Sequence, residues 1–237
     1  MTKKRTPGTK AAQGLDELNA KSREEAGGID NAAHVSQVND TEPMAGGDDD
    51  RRRHECVVVG IGASAGGLEA YKQLLRNMPN DSGMAFVFVQ HLDPSHESLM
   101  VELLSKHTTM PVLQIEDGTR IQPNHIYVIP PNRFIKIKNG GLFLDEPVST
   151  RGVRMPLDWF FRSLAAAHKK RSICVVLSGT GSDGADGLRH VKAEGGMTIV
   201  QEPETAEYDG MPRAAISTGA VDFVLPIDEM AGVIVPY

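Results

Sequence analysis

The sequence predicts an α/β fold: a doubly wound, mostly parallel sheet with an antiparallel hairpin excursion. Three observations predict it. From residue 55 onward, continuous apolar runs of strand length alternate with helical stretches, the pattern of a parallel sheet covered on both faces. Glycine-rich or polar turns follow several of the strands. One central segment switches to period-two alternation around Asn139-Gly140, the strongest short-range hairpin signal.

The elements follow in order. "ECVVVGIG" is a buried strand, and an amphipathic helix with apolar Leu68, Leu74 and Leu75 is expected from about Gly66 to Met78, before Pro79 and "NDSG" end it. "MAFVFVQH" is a second buried strand, and "HESLMVELLSKH" a helix opened by Pro94 and Ser95. "PVLQIED" is a short third strand. "HIYVIPPNRFIKIKNGGLFLDEP" forms the antiparallel excursion attached to the main sheet. A helix over about Pro156 to Lys169 precedes the strand "SICVVLSG", the turn "TGSDGADG" and the helix "GLRHVKAEGG". "MTIVQ", a short helix in "MPRAAISTG" and "AVDFVLP" complete the alternation. The sequence stops just after "IDEMAGVIVPY", where a final helix would be expected, which leaves open that the chain is a fragment of a longer protein.

Residues 1–53 contain no Phe, Tyr or Trp and no sustained apolar periodicity. They read as a disordered tail before a domain spanning 54–237, having too little apolar surface to offset the entropy of ordering. Nine of the 25 Lys/Arg and ten of the 31 Asp/Glu lie in that tail, leaving a mildly acidic body of 16 against 21. The net charge of −6 argues against a nucleic-acid binder. No secretory h-region or membrane-length apolar run is present, so membrane insertion is not expected. Cys56 and Cys174 each lie inside an apolar run and read as buried, reduced thiols in a cytoplasmic protein.

Ligands of open parallel sheets bind beyond the carboxyl ends of the strands. Three chemistry-bearing residues stand there: Ser64 after the first strand, His91 after the second, and Asp183 in "TGSDGADG". Serine, histidine and aspartate are the parts of a nucleophile–base–orienter set, which needs no cofactor. Gly62-Ala63-Ser64-Ala65-Gly66 matches G-x-S-x-G in a strand–turn–helix context, and backbone N–H groups at the helix start, near Ala65 and Gly66, could stabilise an oxyanion. On this reading Gly60, Gly62, Gly66 and Gly67 give clearance for Ser64 and its substrate. Rival readings use the same residues. Gly60, Gly62 and Gly66 with Asp93 loosely match a dinucleotide fingerprint. Ser64 could simply cap the following helix. His91, His96 and Asp93 could hold a metal, though Pro94 interrupts them, and "GSDGADG" lacks the glutamate that closes a calcium loop.

"GIGASAGGLEA", "FVFVQHLDPSH", "LSGTGSDGADGL" and "GMPRAA" occur in consistent order from about Cys56 to the C-terminus. The chain thereby resembles the catalytic domain of CheB-type chemotaxis receptor protein-glutamate methylesterases, especially the variants found in methylesterase–methyltransferase fusion proteins. The resemblance implies Ser64 as nucleophile, His91 as general base and Asp183 as its orienter. It places an oxyanion donor at the backbone of Thr180, and Ala65, Gly66 and Met211 in the oxyanion and substrate-binding surroundings. The implied reaction hydrolyses γ-glutamyl methyl esters on methyl-accepting chemotaxis receptors or receptor-like proteins, and deamidates some glutamines. A methyltransferase partner or fused domain is implied as well. A non-catalytic, receptor-binding regulatory module is the alternative. Two departures stand out: many members have threonine where this chain has Ala65, and residues 1–53 are too short and polar for the receiver domain of stand-alone members.

Overall fold

The computed structural model describes residues 56–90, 99–147 and 154–237. The expected tail, and the start of the expected second helix, lie outside them. Seven strands form a wholly parallel sheet: β1 (Val58–Ala63), β2 (Ala85–Gln90), β3 (Val112–Gln114), β5 (His125–Val128), β8 (Ser172–Val176), β9 (Met197–Gln201) and β10 (Phe223–Leu225). Their spatial order is β10-β9-β8-β1-β2-β5-β3. The chain builds outward from β1 through β2, then returns to the other side of β1 with β8. The switch point of the doubly wound sheet is therefore the crevice between the ends of β1 and β8.

Alternate side chains of each strand feed two cores. Val59, Ile61 and Ala63 face the helices α1 (Gly67–Asn77), α2 (Leu99–Ser105) and α6 (Ile227–Ile234). Val58, Val87 and Val176 face α3 (Pro156–His168), α4 (Ala185–Ala193) and α5 (Gly210–Ile216). On the α3 side the next positions of β1 are Gly60 and Gly62. A Cβ at Gly62 would lie 1.4 Å from Leu157 Cδ2, and one at Gly60 2.9 Å from Phe160 Cε1. These two glycines clear α3, not a substrate, which corrects the expectation for half of the glycine set. Leu157, Phe160, Phe161 and Leu164 are each fully buried in that trough, at about 1.5–3 kcal/mol apiece.

The hairpin differs from its expected place. Its first part, β5, is an interior strand of the main sheet, hydrogen-bonded to both β2 and β3. The rest, β6 (Phe134–Lys138) and β7 (Gly141–Asp145), joins the two-residue β4 (Thr119–Arg120) in a separate antiparallel sheet. Asn139 and Gly140 turn the hairpin with φ of 50° and 69°, the positive pair of a primed turn. Ile135 and Ile137 pack into the α3 core, and Ser163 Oγ accepts the Ile137 N–H at 3.1 Å. The small sheet thus clamps the outer side of α3. A period-two pattern reports an exposed face but not which sheet the strand joins.

Among the described residues no helix is long and apolar enough to cross a membrane. Gly62→Ala should destabilise the protein by about 3 kcal/mol through overpacking against Leu157. Urea unfolding measures this, and an unchanged midpoint would contradict the trough.

Candidate active site

Ser64 stands at the switch point, one residue beyond β1. Leu177 N–H donates to Gly62 O at 2.8 Å, and Ser64 N–H donates to Ser178 O at 3.0 Å, so the β1–β8 pairing continues past both strand ends. Ser64 O accepts the Gly67 N–H at 3.0 Å and Gln90 Nε2 at 3.2 Å. The serine backbone is thus held on both sides. Gly66, with φ 74°, is the N-cap of α1, and no side chain caps that helix. Ser64 is not the cap, so that rival reading fails. Among the described residues its hydroxyl makes no hydrogen bond, and the residue is half-buried.

The dinucleotide reading weakens on the same geometry. Gly60 and Gly62 lie within β1 and serve α3, which leaves only Gly66 and Gly67 in the turn. A Cβ at Gly66 would fall 2.7 Å from Ser178 Oγ, and one at Gly67 2.7 Å from Ala63 Cβ. Both are needed for the close approach of neighbouring chain.

The facing turn, after β8, is built around Ser178 and Gly179. Ser178 Oγ donates to Ala65 O at 2.9 Å and accepts the Tyr208 N–H at 3.0 Å. Its own N–H donates to Gln201 Oε1 at 2.9 Å, while Gln201 Nε2 reaches Thr205 O at 3.0 Å. A Cβ on Gly179 would come within 3.0 Å of Ser64 Cβ and 2.2 Å of Met211 Sδ, so only glycine permits the contact. Met211 is 1% exposed, and its N–H donates to Gly179 O at 2.9 Å. It underlies the turn from within the core, whereas Thr180, the next residue after Gly179, is exposed. Ser178, Gln90 and Gln201 went unnoticed in the sequence. The available signal was a polar residue ending, or just past, an otherwise apolar strand.

Asp183 lies on the same edge, 5% exposed. Its Oδ2 accepts the Leu157 N–H at 3.1 Å and its Oδ1 the Asp158 N–H at 3.0 Å. These are first-turn amides of α3, groups a helix leaves without internal acceptors. Burial pushes the Asp183 carboxyl up to about 7, with the Asp158 carboxylate adding to it; the two amides pull the other way. In "GSDGADG" the second aspartate, Asp186, is ion-paired to Arg162, so neither carboxylate is arranged as a calcium ligand.

His91 lies outside the described residues, with His96 and Asp93. β2, which His91 follows, is the hydrogen-bonded neighbour of β1, and Gln90 pairs with Ala63. Of the described site residues, Ser64, Ala65, Gly66 and Thr180 gather on two turns tied to each other, and Met211 supports the second from α5. Asp183 belongs to the second of these turns.

Known proteins are similar to this chain. The CheB methylesterase family matches residues 59–234. A protein-glutamate methylesterase/protein-glutamine glutaminase of Photorhabdus laumondii is 39% identical over 179 residues, covering 73% of this chain and 51% of that protein. A putative protein-glutamate methylesterase/protein-glutamine glutaminase of Leptospira interrogans is 34% identical over 181 residues, 75% of this chain and 92% of its own length. An uncharacterized 104.1 kDa protein of Rhodobacter capsulatus is 42% identical over 138 residues, only 14% of its length. The crystal structure of the Thermotoga maritima CheB methylesterase catalytic domain superposes with a TM-score of 0.71 at 29% identity, covering 77% of this chain and 98% of that one. The chain spans about half the length of several of the curated relatives it matches.

A folded carboxyl titrating near 7 binds its proton more tightly than the unfolded one near 3.9. Ionising Asp183 therefore costs stability as pH rises from about 4 to about 7, and no further above that. Asp183→Asn removes this dependence. Its unfolding free energy relative to wild type should move in the variant's favour across that window and then level, as read by urea denaturation at each pH. A pH-independent difference would contradict the buried, proton-retaining carboxyl.

Proposed function

Because the chain belongs to the CheB methylesterase family, we propose that it is a protein-glutamate methylesterase acting through Ser64, His91 and Asp183. The observation that carries this reading is the tie between the Ser64 turn and the Ser178–Gly179 turn, which brings the serine and the approach to Asp183 to one crevice. His91 takes the hydroxyl proton as Ser64 Oγ attacks the γ-glutamyl ester carbonyl, and methanol leaves from the tetrahedral intermediate. Water, activated by the same imidazole, then frees the glutamate. Asp183 holds the imidazole and stabilises its cation.

Ala65 follows Ser64, and Thr180 follows Gly179 on the facing turn. Neither backbone N–H donates to another described residue, and on this reading both serve the oxyanion. Gly66 lets the turn close over Ser178, while Met211 contributes by supporting Gly179. A side-chain hydroxyl is absent at Ala65, so stabilisation there rests on the backbone alone. Attack on a glutamine amide by the same route releases ammonia, consistent with the glutaminase in the relatives' names. The substrate proteins are methyl-accepting chemoreceptors or receptor-like proteins on the cytoplasmic side of the membrane, methylated by a partner or fused methyltransferase. Residues 54–237 form the catalytic domain and residues 1–53 a tail.

Ser64→Ala should lower methanol release from a methylated receptor fragment by about three orders of magnitude or more. Activity kept within tenfold would sink the nucleophile assignment. A wild-type protein that binds the fragment and releases no methanol would instead favour the receptor-binding module.

A further inference from the structure

Asp183 has a buried counterpart. Asp158, 7% exposed, is the third residue of α3. Its N–H donates to Asp183 Oδ1, and its own Oδ1 accepts the N–H of Gly187, in the first turn of α4, at 2.6 Å. Each carboxylate therefore satisfies the N-terminal amides of the helix that the other belongs to or precedes. The two helices touch at this point: a Cβ on Gly187 would lie 2.7 Å from Phe161 Cβ and 3.2 Å from Asp158 Cα.

We propose that Asp158 is a positioning residue for the esterase reaction, acting through Asp183 by fixing both its place and its electrostatic surroundings. The proposal rests on the reading of Ser64, His91 and Asp183 given above. Asp158 touches no reacting atom. Its effect passes through the α3 amides that hold Asp183 and through the negative charge it carries beside that carboxylate.

The charged groups around the pair are few. Arg162, one turn further along α3, favours the Asp158 anion, and Asp186 on α4 opposes it. Arg162 is itself ion-paired to Asp186, which also approaches Arg189 at 3.6 Å and His190 at 3.7 Å. Burial is the largest influence on both carboxyls and pushes both up; amide donors counter it. Among the described residues no cation pairs directly with Asp158 or Asp183. His91 lies outside those residues. Two buried anions supported mainly by amides must raise one another's affinity for protons.

The sign follows. Removing the Asp158 charge lets Asp183 ionise at lower pH. On the proposed mechanism, which needs the Asp183 anion, this moves the acid limb of the rate profile downward. Asp158→Asn keeps an oxygen acceptor for the Gly187 N–H, whereas Asp158→Ala does not.

The test measures kcat/KM for methanol release from a methylated receptor fragment between pH 5 and pH 9, with folding followed by circular dichroism. For Asp158→Asn the ratio of the rate at pH 6 to that at pH 8 should rise about threefold over wild type, from a shift of about half a pH unit. Asp158→Ala should lose about tenfold or more at every pH, a loss that Asn largely restores. Profiles of wild type and Asp158→Asn that superpose after scaling would overturn the proposal. If Asp158→Asn does not fold, Asp158→Ser serves as the uncharged variant. Failure of both to fold would show a purely structural carboxylate and equally overturn it. Ser64→Ala separates the two readings: an active wild type with an inactive Ser64→Ala and no shift overturns the Asp158 role alone, while an inactive wild type overturns both.

Discussion

The hydrogen bond from Ser64 N–H to Ser178 O is the constraint on which the site depends. Parallel strands ordinarily diverge into independent turns once their ladder ends. Here the ladder between β1 and β8 runs on through Leu177 and Ser64, and Gly179 lets the two backbones meet where any side chain would collide. The Ser178 hydroxyl adds a second tie to Ala65 and a third to Tyr208. Two loops thereby become one rigid element, and a serine that would otherwise be a mobile turn residue gains a fixed position.

Helix α3 brings that edge together from below. Gly60 and Gly62 leave a trough in β1 deep enough for Leu157 and Phe160, and the separate antiparallel sheet closes over the helix's other side. A helix so seated cannot slide, and its first-turn amides point where Asp183 receives them. Core packing thus sets the position of the Asp183 carboxylate. The link is mechanical: volume excluded at Gly62 is felt two residues later, at the serine.

The electrostatics at that edge oppose stability. Burying Asp158 and Asp183 side by side disfavours their anions, and amide donors recover only part of the cost. Polar networks of this kind persist where they specify a geometry that an apolar core could not. The same logic explains Gln90 and Gln201, buried or half-buried amides spent on turn backbones and not on solvent.

Strand and helix order, the parallel sheet and the edge carrying Ser64 and Asp183 were legible in the sequence, because apolar runs and turn residues are local signals. The hairpin turn was legible for the same reason, since Asn139 and Gly140 need only their own φ angles. The sheet that hairpin joins was not, nor was the transfer of His125–Val128 to the main sheet, because pairing partners are chosen by contacts far apart in the chain. The glycines of "GIGASAGG" were read as a single device. Tertiary packing split them into two that admit a helix and two that shape a turn. Asp158 carried no signal at all, sitting in a helix whose pattern announces only an apolar face. Chemistry at strand ends can be read from residue type, but whether a carboxylate is buried, and which amides hold it, is decided only when two helices meet.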